Sequence, residues 1–165
     1  MKKPLLTTAL AAIALTLPKS ASALCIICSC SVAINSIVNF GTYNPLPGSA
    51  ADTTGHFTVT CDLTLGLLGT YTVELSKGGS NSYAPRQMKS SSNDTLNYNL
   101  YIDAARTAVW GDGTGGTSIV SDPSLLTLLG HVVREYDVYG RILGNQQSTP
   151  PGTYNDTITV TVTYN

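Results

Sequence analysis

Apolar and polar positions alternate along the chain in short runs, the period of a half-buried β-strand. Cys30, Val32 and Ile34 share one phase across Ser31 and Ala33, and residues 38–40 resume it. Phe57, Val59 and Cys61 share a second phase across Thr58 and Thr60, within a strand predicted over 55–61. Further strands are predicted over 69–76, 96–102, 136–142 and 154–164, with a short pairing segment over 86–89. In the last of these, Ile158, Val160, Val162 and Tyr164 occupy one face and Thr157, Thr159, Thr161 and Thr163 the other. Breaks fall at Asn44-Pro45-Leu46-Pro47-Gly48, at Lys77-Gly78-Gly79-Ser80-Asn81, over 90–94 and over 111–116, all rich in turn-forming residues. Short strands at this spacing predict an all-β sandwich. Residues 125–129, after Asp122-Pro123, fit a helical turn or equally an apolar loop. With neither a repeat nor a linker, the body of the chain reads as one domain.

The start of the chain follows a different logic. Met1-Lys2-Lys3 precedes an apolar run over 5–17 and then Ala21-Ser22-Ala23, the order of a secretory signal peptide cleaved after Ala23. The run is too short for a retained membrane-spanning helix, and Leu24 before Cys25 does not suit a lipidation site. The expected organisation is a removed leader over 1–23 and an exported domain over 24–165. Hydrophobic residues at 42% suffice for a core, while charged residues are only 12%, about half the usual share. Losing Lys2, Lys3 and Lys19 with the leader reduces the 9 Lys and Arg to six, against 10 Asp and Glu. No basic surface remains for nucleic acid.

Export permits disulfides, and all four cysteines lie beyond the leader. Four thiols allow three complete pairings. By phase, Cys30 and Cys61 both point inward, so a Cys30–Cys61 bridge is expected. In the chain-entropy model a loop of this length contributes about 3–4 kcal/mol. Cys25 and Cys28 would lie about 10 Å apart in an extended strand, too far to bridge without a turn. Their state stays open. Cys25-Ile26-Ile27-Cys28 lacks the following helix of a thioredoxin-like motif and the further ligands of a zinc site.

Catalytic signals are poor. Residues 111–116 satisfy G-x-G-x-x-G, but Thr117-Ser118-Ile119-Val120-Ser121 reads as strand or loop, leaving no helix N-terminus for a phosphate. Neither G-x-S-x-G nor H-E-x-x-H nor a calcium-binding loop occurs. Asp103 and Asp112 read as solvated surface carboxylates rather than an acid–base pair. His56 and His131 are too far apart in sequence to suggest a triad or metal site, and Trp110 after Val109 reads as core rather than a sugar platform. No residue of the chain is expected to be catalytic, cofactor-binding or metal-binding, and no enzyme is predicted.

Several strings then occur in a telling order: Cys30-Ser31-Val32, Asn39-Phe40-Gly41-Thr42-Tyr43-Asn44-Pro45, Tyr71-Thr72-Val73-Glu74-Leu75, Arg86-Gln87-Met88 and Leu96-Asn97-Tyr98-Asn99-Leu100-Tyr101. Trp110-Gly111-Asp112-Gly113, Tyr139-Gly140-Arg141-Ile142 and Gly152-Thr153-Tyr154-Asn155-Asp156-Thr157 complete the series. Over residues 30–165 the chain resembles the spore coat protein U domain family, whose members include subunits of archaic, Csu-type chaperone–usher pili. The resemblance implies an incomplete immunoglobulin-like β-sandwich that lacks its last strand, so that the final strand present edges an open hydrophobic groove. It implies a periplasmic chaperone filling that groove first, and the N-terminal extension of a neighbouring subunit replacing it in the fibre, a β-strand addition. An outer-membrane usher is the third implied partner, and a fimbrium at the cell surface the destination. On this resemblance the groove residues are Val32, Ile34, Ile158, Val160, Val162 and Tyr164. The regularity of the last strand agrees, since left unpaired it would invite aggregation.

The expected role is a structural or adhesive pilus subunit serving surface attachment and biofilm formation. The alternative is a freestanding secreted carbohydrate- or surface-binding sandwich, or a spore coat component. Residues 24–29, which precede Cys30 after cleavage, reach about 20 Å when extended. A strand along 154–164 needs about 35 Å. The chain is therefore expected to accept a strand without donating one, which by the pilin analogy places it at the tip. Residues 65–68 and 125–129 would then be candidate surface contacts, with ordinary core packing as the competing reading.

Overall fold

The computed structural model describes residues 25–66, 71–122 and 130–164, and of residues 25–28, 63–66 and 164 the backbone alone. The expected leader, residues 67 and 68 of the 65–68 stretch and the 125–129 stretch lie outside the described residues.

The alternating runs become eight strands: β1 (Cys25–Ser36), β2 (Ala51–Gly66), β3 (Tyr71–Leu75), β4 (Arg86–Lys89), β5 (Thr95–Tyr101), β6 (Val120–Asp122), β7 (Gly130–Ile142) and β8 (Val160–Tyr164). A 3-10 turn at Gly78–Ser80 follows β3. The strands form a five-stranded sheet in the order β1-β2-β7-β5-β4 and a three-stranded sheet in the order β6-β3-β8. Every pairing between named strands is antiparallel. The two inner faces meet in one core, with Phe57 and Val59 from β2, Leu96, Tyr98 and Leu100 from β5, Val138 and Ile142 from β7, and Tyr71, Val73 and Leu75 from β3. The period-2 pattern delivers this: along β3, buried residues alternate with half-buried ones. The fold is the all-β sandwich that the sequence predicts.

Cys30 and Cys61 stand directly opposite each other in the β1–β2 register. They form the expected disulfide, with Cα atoms 4.1 Å apart. Trp110 is core: it is 1% exposed, donates its Nε1–H to the Val73 carbonyl at 2.9 Å, and packs its ring against Phe57 and Tyr136. The 111–116 stretch is a loop followed by no helix, and Gly111 N donates to Ser118 O across it.

Several strand boundaries differ from the sequence expectation. β2 and β7 extend well beyond 55–61 and 136–142 by pairing with each other along their length, from Ala51 opposite Ile142 to Leu63 opposite Gly130. Residues 38–40 join no named strand, although Val38 and Phe40 pack on the core. The strand predicted over 154–164 pairs with β3 only over Val160–Tyr164. Its first part serves the other sheet: Asn155 and Lys89 exchange two backbone hydrogen bonds of 2.9 Å, covering the outer edge of β4. The chain therefore changes sheets between 155 and 160, and one continuous sequence period conceals two structural segments.

Candidate functional site

Among the described residues β8 has β3 as its sole neighbour, and β1 has β2. Between these two edges the sandwich is open. Leu75 directs its N–H to Gly111 O, away from β8, so the Leu75–Val160 pair is a non-hydrogen-bonded one. Hydrogen-bonding direction alternates along an antiparallel strand. Val160 and Val162 accordingly turn their backbone N–H and C=O groups toward the open flank, where no described strand lies. Their side chains, with that of Ile158, are half-buried, while Thr157, Thr159, Thr161 and Thr163 are exposed. That is the phase read from the sequence.

Beside this edge lies an apolar cavity of about 340 Å³. It is lined by Ile158 and Val160 of the final segment, by Ile34, Val38 and Phe40 of the first, and by the buried core residues Phe57, Leu75, Leu100, Val138 and Ile142. Ile34 is 58% exposed and the adjoining Ile37 70%, so large apolar side chains stand in solvent at the rim. Burial of such side chains is worth roughly 25 cal/mol per Å², which makes the flank favourable to cover. Polar residues reach the lining too, among them Tyr98 and Asp156, and the Tyr98 hydroxyl donates to Asp156 Oδ2 at 2.6 Å. Burial, and then the bond to that carboxylate, hold the Tyr98 phenol well above its ordinary ionisation range.

Of the six groove residues expected from the sequence, the structure brings Ile34, Ile158 and Val160 together around the cavity. Val162 packs against the core beyond the cavity lining. Val32 is 36% exposed and lies outside that lining. Tyr164 pairs its backbone with Tyr71, and its side chain lies outside the described residues. Sequence reasoning missed Val38, Phe40, Tyr43 and Tyr154, all of which line the cavity. For Val38, Phe40 and Tyr43 the signal was the interrupted alternation over 38–43, which reads as a weak strand, whereas Tyr154 opens the last predicted strand. The stretch before Cys30, treated above as a free extension, belongs to β1: Cys25 is opposite Gly66 and Ser29 opposite Asp62.

The remaining candidates have structural surroundings. Asp103 accepts hydrogen bonds from the Thr107 and Ala108 amides, and Asp112 from the Thr114 amide and hydroxyl. These bonds hold both carboxyls below their usual range. His56 and His131 meet Asp137 and Asp62 at 2.6 and 2.7 Å across the β2–β7 ladder, each pair exposed on the outer face.

This geometry is that of an all-β sandwich with one uncovered flank, and comparison with known proteins places the chain. The family model for the Spore Coat Protein U domain matches residues 16–161. Protein U of Myxococcus xanthus is 35% identical over 139 residues, covering 77% of this chain and 71% of that protein. The chain belongs to the Spore Coat Protein U domain family. Its fold also resembles a chain in the crystal structure of the CsuC–CsuE chaperone–tip adhesion subunit pre-assembly complex, from the archaic chaperone–usher Csu pili of Acinetobacter baumannii. The TM-score is 0.54 at 24% identity, with 82% of this chain covered. It spans only 39% of the length of that neighbour.

Proposed function

We propose that this protein is an exported, non-enzymatic subunit of a chaperone–usher pilus, and that its open flank accepts an extended strand from another polypeptide. The observation that carries the reading is the outward-turned edge of Val160 and Val162 beside an apolar cavity floored by the core itself. A strand laid there would satisfy that edge and cover Ile34 and Val160 at once, which is strand addition to a sheet edge. A periplasmic chaperone supplies the strand during export and a neighbouring subunit supplies it in the fibre, after passage through an outer-membrane usher. Family membership and the likeness to a chain of a chaperone–subunit complex support this assignment. The destination is a fimbrium at the cell surface, with surface attachment and biofilm formation as the role. A position at the tip is supported by β1, whose residues from Cys25 onward are engaged with β2 of their own sheet and are not free for donation.

Co-expression with the periplasmic chaperone tests the reading. Val160→Asp sets a charge in the cavity wall and costs several kcal/mol on binding. Chaperone co-purification is expected to be lost in this variant and kept in the exposed-face control Thr161→Asp. Equal co-purification of both variants would contradict the assignment of the flank.

A further inference from the structure

Gly55 and Gly140 are diagonal neighbours on the inner face of the β2–β7 ladder, Gly55 opposite Val138 and Gly140 opposite Thr53. Neither adopts a positive φ, so the backbone itself does not ask for glycine. Glycine within a strand weakens it and marks a place where another backbone or side chain approaches closely. That approach is visible here. A Cβ on Gly140 would stand 2.5 Å from Val38 Cγ1 and 2.8 Å from Phe40 Cζ. One on Gly55 would stand 2.8 Å from the Val38 nitrogen and 3.0 Å from the Ile37 carbonyl carbon. Residues 37–40 belong to no named strand, so the surface beneath them sets how deeply they sit. Val38 and Phe40 also line the cavity, together with Ile158 and Val160 of the final segment.

We propose that Gly55 and Gly140 are specificity-determining positions of the strand-accepting groove: by letting residues 37–40 sink onto the bare sheet, they leave the cavity wide enough for a large, branched apolar side chain of the incoming strand. The inference rests on the acceptor reading above. A methyl group at Gly140 cannot displace the backbone of a five-stranded sheet. It lifts Val38 and Phe40 toward the β8 wall, and the space lost is the space between the walls. A strand with a small residue at that point still docks. Differences of a methylene or more in an apolar pocket are worth about 10–200-fold.

The test titrates the purified full chain with two short, lysine-flanked peptides of alternating Thr and apolar residues, one with Leu and one with Ala at the central apolar position. The parent is expected to prefer the Leu peptide. Gly140→Ala should lose about tenfold or more for the Leu peptide while holding the Ala peptide, and Val38→Ala added to it should restore Leu binding by returning the lost space. If Gly140→Ala binds both peptides as the parent does, or loses both in equal proportion, the glycines serve packing alone and the inference is overturned while the acceptor reading stands. If the parent binds neither peptide, the acceptor reading falls and the inference with it.

Discussion

Tyr98 on β5 and Asp156, just beyond the point where the final segment leaves β4, are joined by a hydrogen bond of 2.6 Å from the phenol to Oδ2. The other carboxylate oxygen accepts the Gly79 amide at 2.8 Å, in the turn that follows β3. One carboxylate therefore ties the five-stranded sheet to the three-stranded one where the chain crosses between them. That crossing delivers Val160 to the open edge, so the polar pair positions the apolar site. Bonds to a charged group contribute about 1.5–3 kcal/mol, and Tyr98→Phe is expected to lower unfolding free energy by that amount in denaturant titration. The same bond sets a pH dependence. The native phenol of Tyr98 ionises above its ordinary value because of burial and then Asp156, and that of Tyr71 because of burial and then Tyr136. Unfolded tyrosines ionise near pH 10, so above that pH the unfolded state holds fewer protons than the native one. The stability is fully present below about pH 10 and falls as pH rises further. The fall should be shallower in Tyr98→Phe; identical slopes would contradict the role given to burial.

Arg86 has no exposed surface and is held by carbonyls rather than by a carboxylate. Its guanidinium donates to Asn99 Oδ1 at 2.8 Å, to Trp110 O at 2.7 Å and to Ser76 O at 2.8 Å, and lies over the Tyr83 ring. Desolvation lowers its pKa, yet three acceptors depend on it. Arg86→Met should cost about 3–5 kcal/mol by stranding them, read as a large fall in the guanidinium chloride midpoint. Arg86→Lys should recover little, since an ammonium cannot span all three. An unchanged midpoint in either variant would show that water replaces the guanidinium freely.

The Cys30–Cys61 bridge fastens β1, one edge of the open flank, to β2. Non-reducing peptide mapping of the exported protein should recover these two cysteines joined. Replacing both with Ser should lower stability by about 3–4 kcal/mol in the chain-entropy model. Recovery of Cys61 joined to Cys25 or Cys28 would contradict the register of β1 against β2.

Much of this was legible in the sequence because a period of two is unambiguous when one face is buried. Cys30, Cys61, Phe57 and Val59 share the inward phase that the structure gives them, and the half-buried set Ile158, Val160 and Val162 does too. Phase alone, however, does not say which sheet a residue joins. Nothing in the pattern over 154–164 marks the change of sheet, because the signal for it is a single Asp156 whose partners, Tyr98 and Gly79, are distant in sequence. Arg86 was equally hidden: a charged residue in an alternating segment reads as exposed, and only the convergence of Ser76, Asn99 and Trp110 makes its burial tolerable. Val38 and Phe40 were legible as apolar but not as a wall, since their seat depends on Gly55 and Gly140 lying diagonally across two strands.

Amide exchange at Val160 and Val162 tests the central claim most directly. Their N–H groups face the open flank, so in the isolated chain they should exchange quickly while those of Thr161 and Thr163, turned toward β3, are protected. In the complex with the chaperone, all four should become slow, because the incoming strand takes the outward groups. Slow exchange at Val160 and Val162 in the isolated chain, or no change on complex formation, would contradict the account of this flank as a vacant strand position.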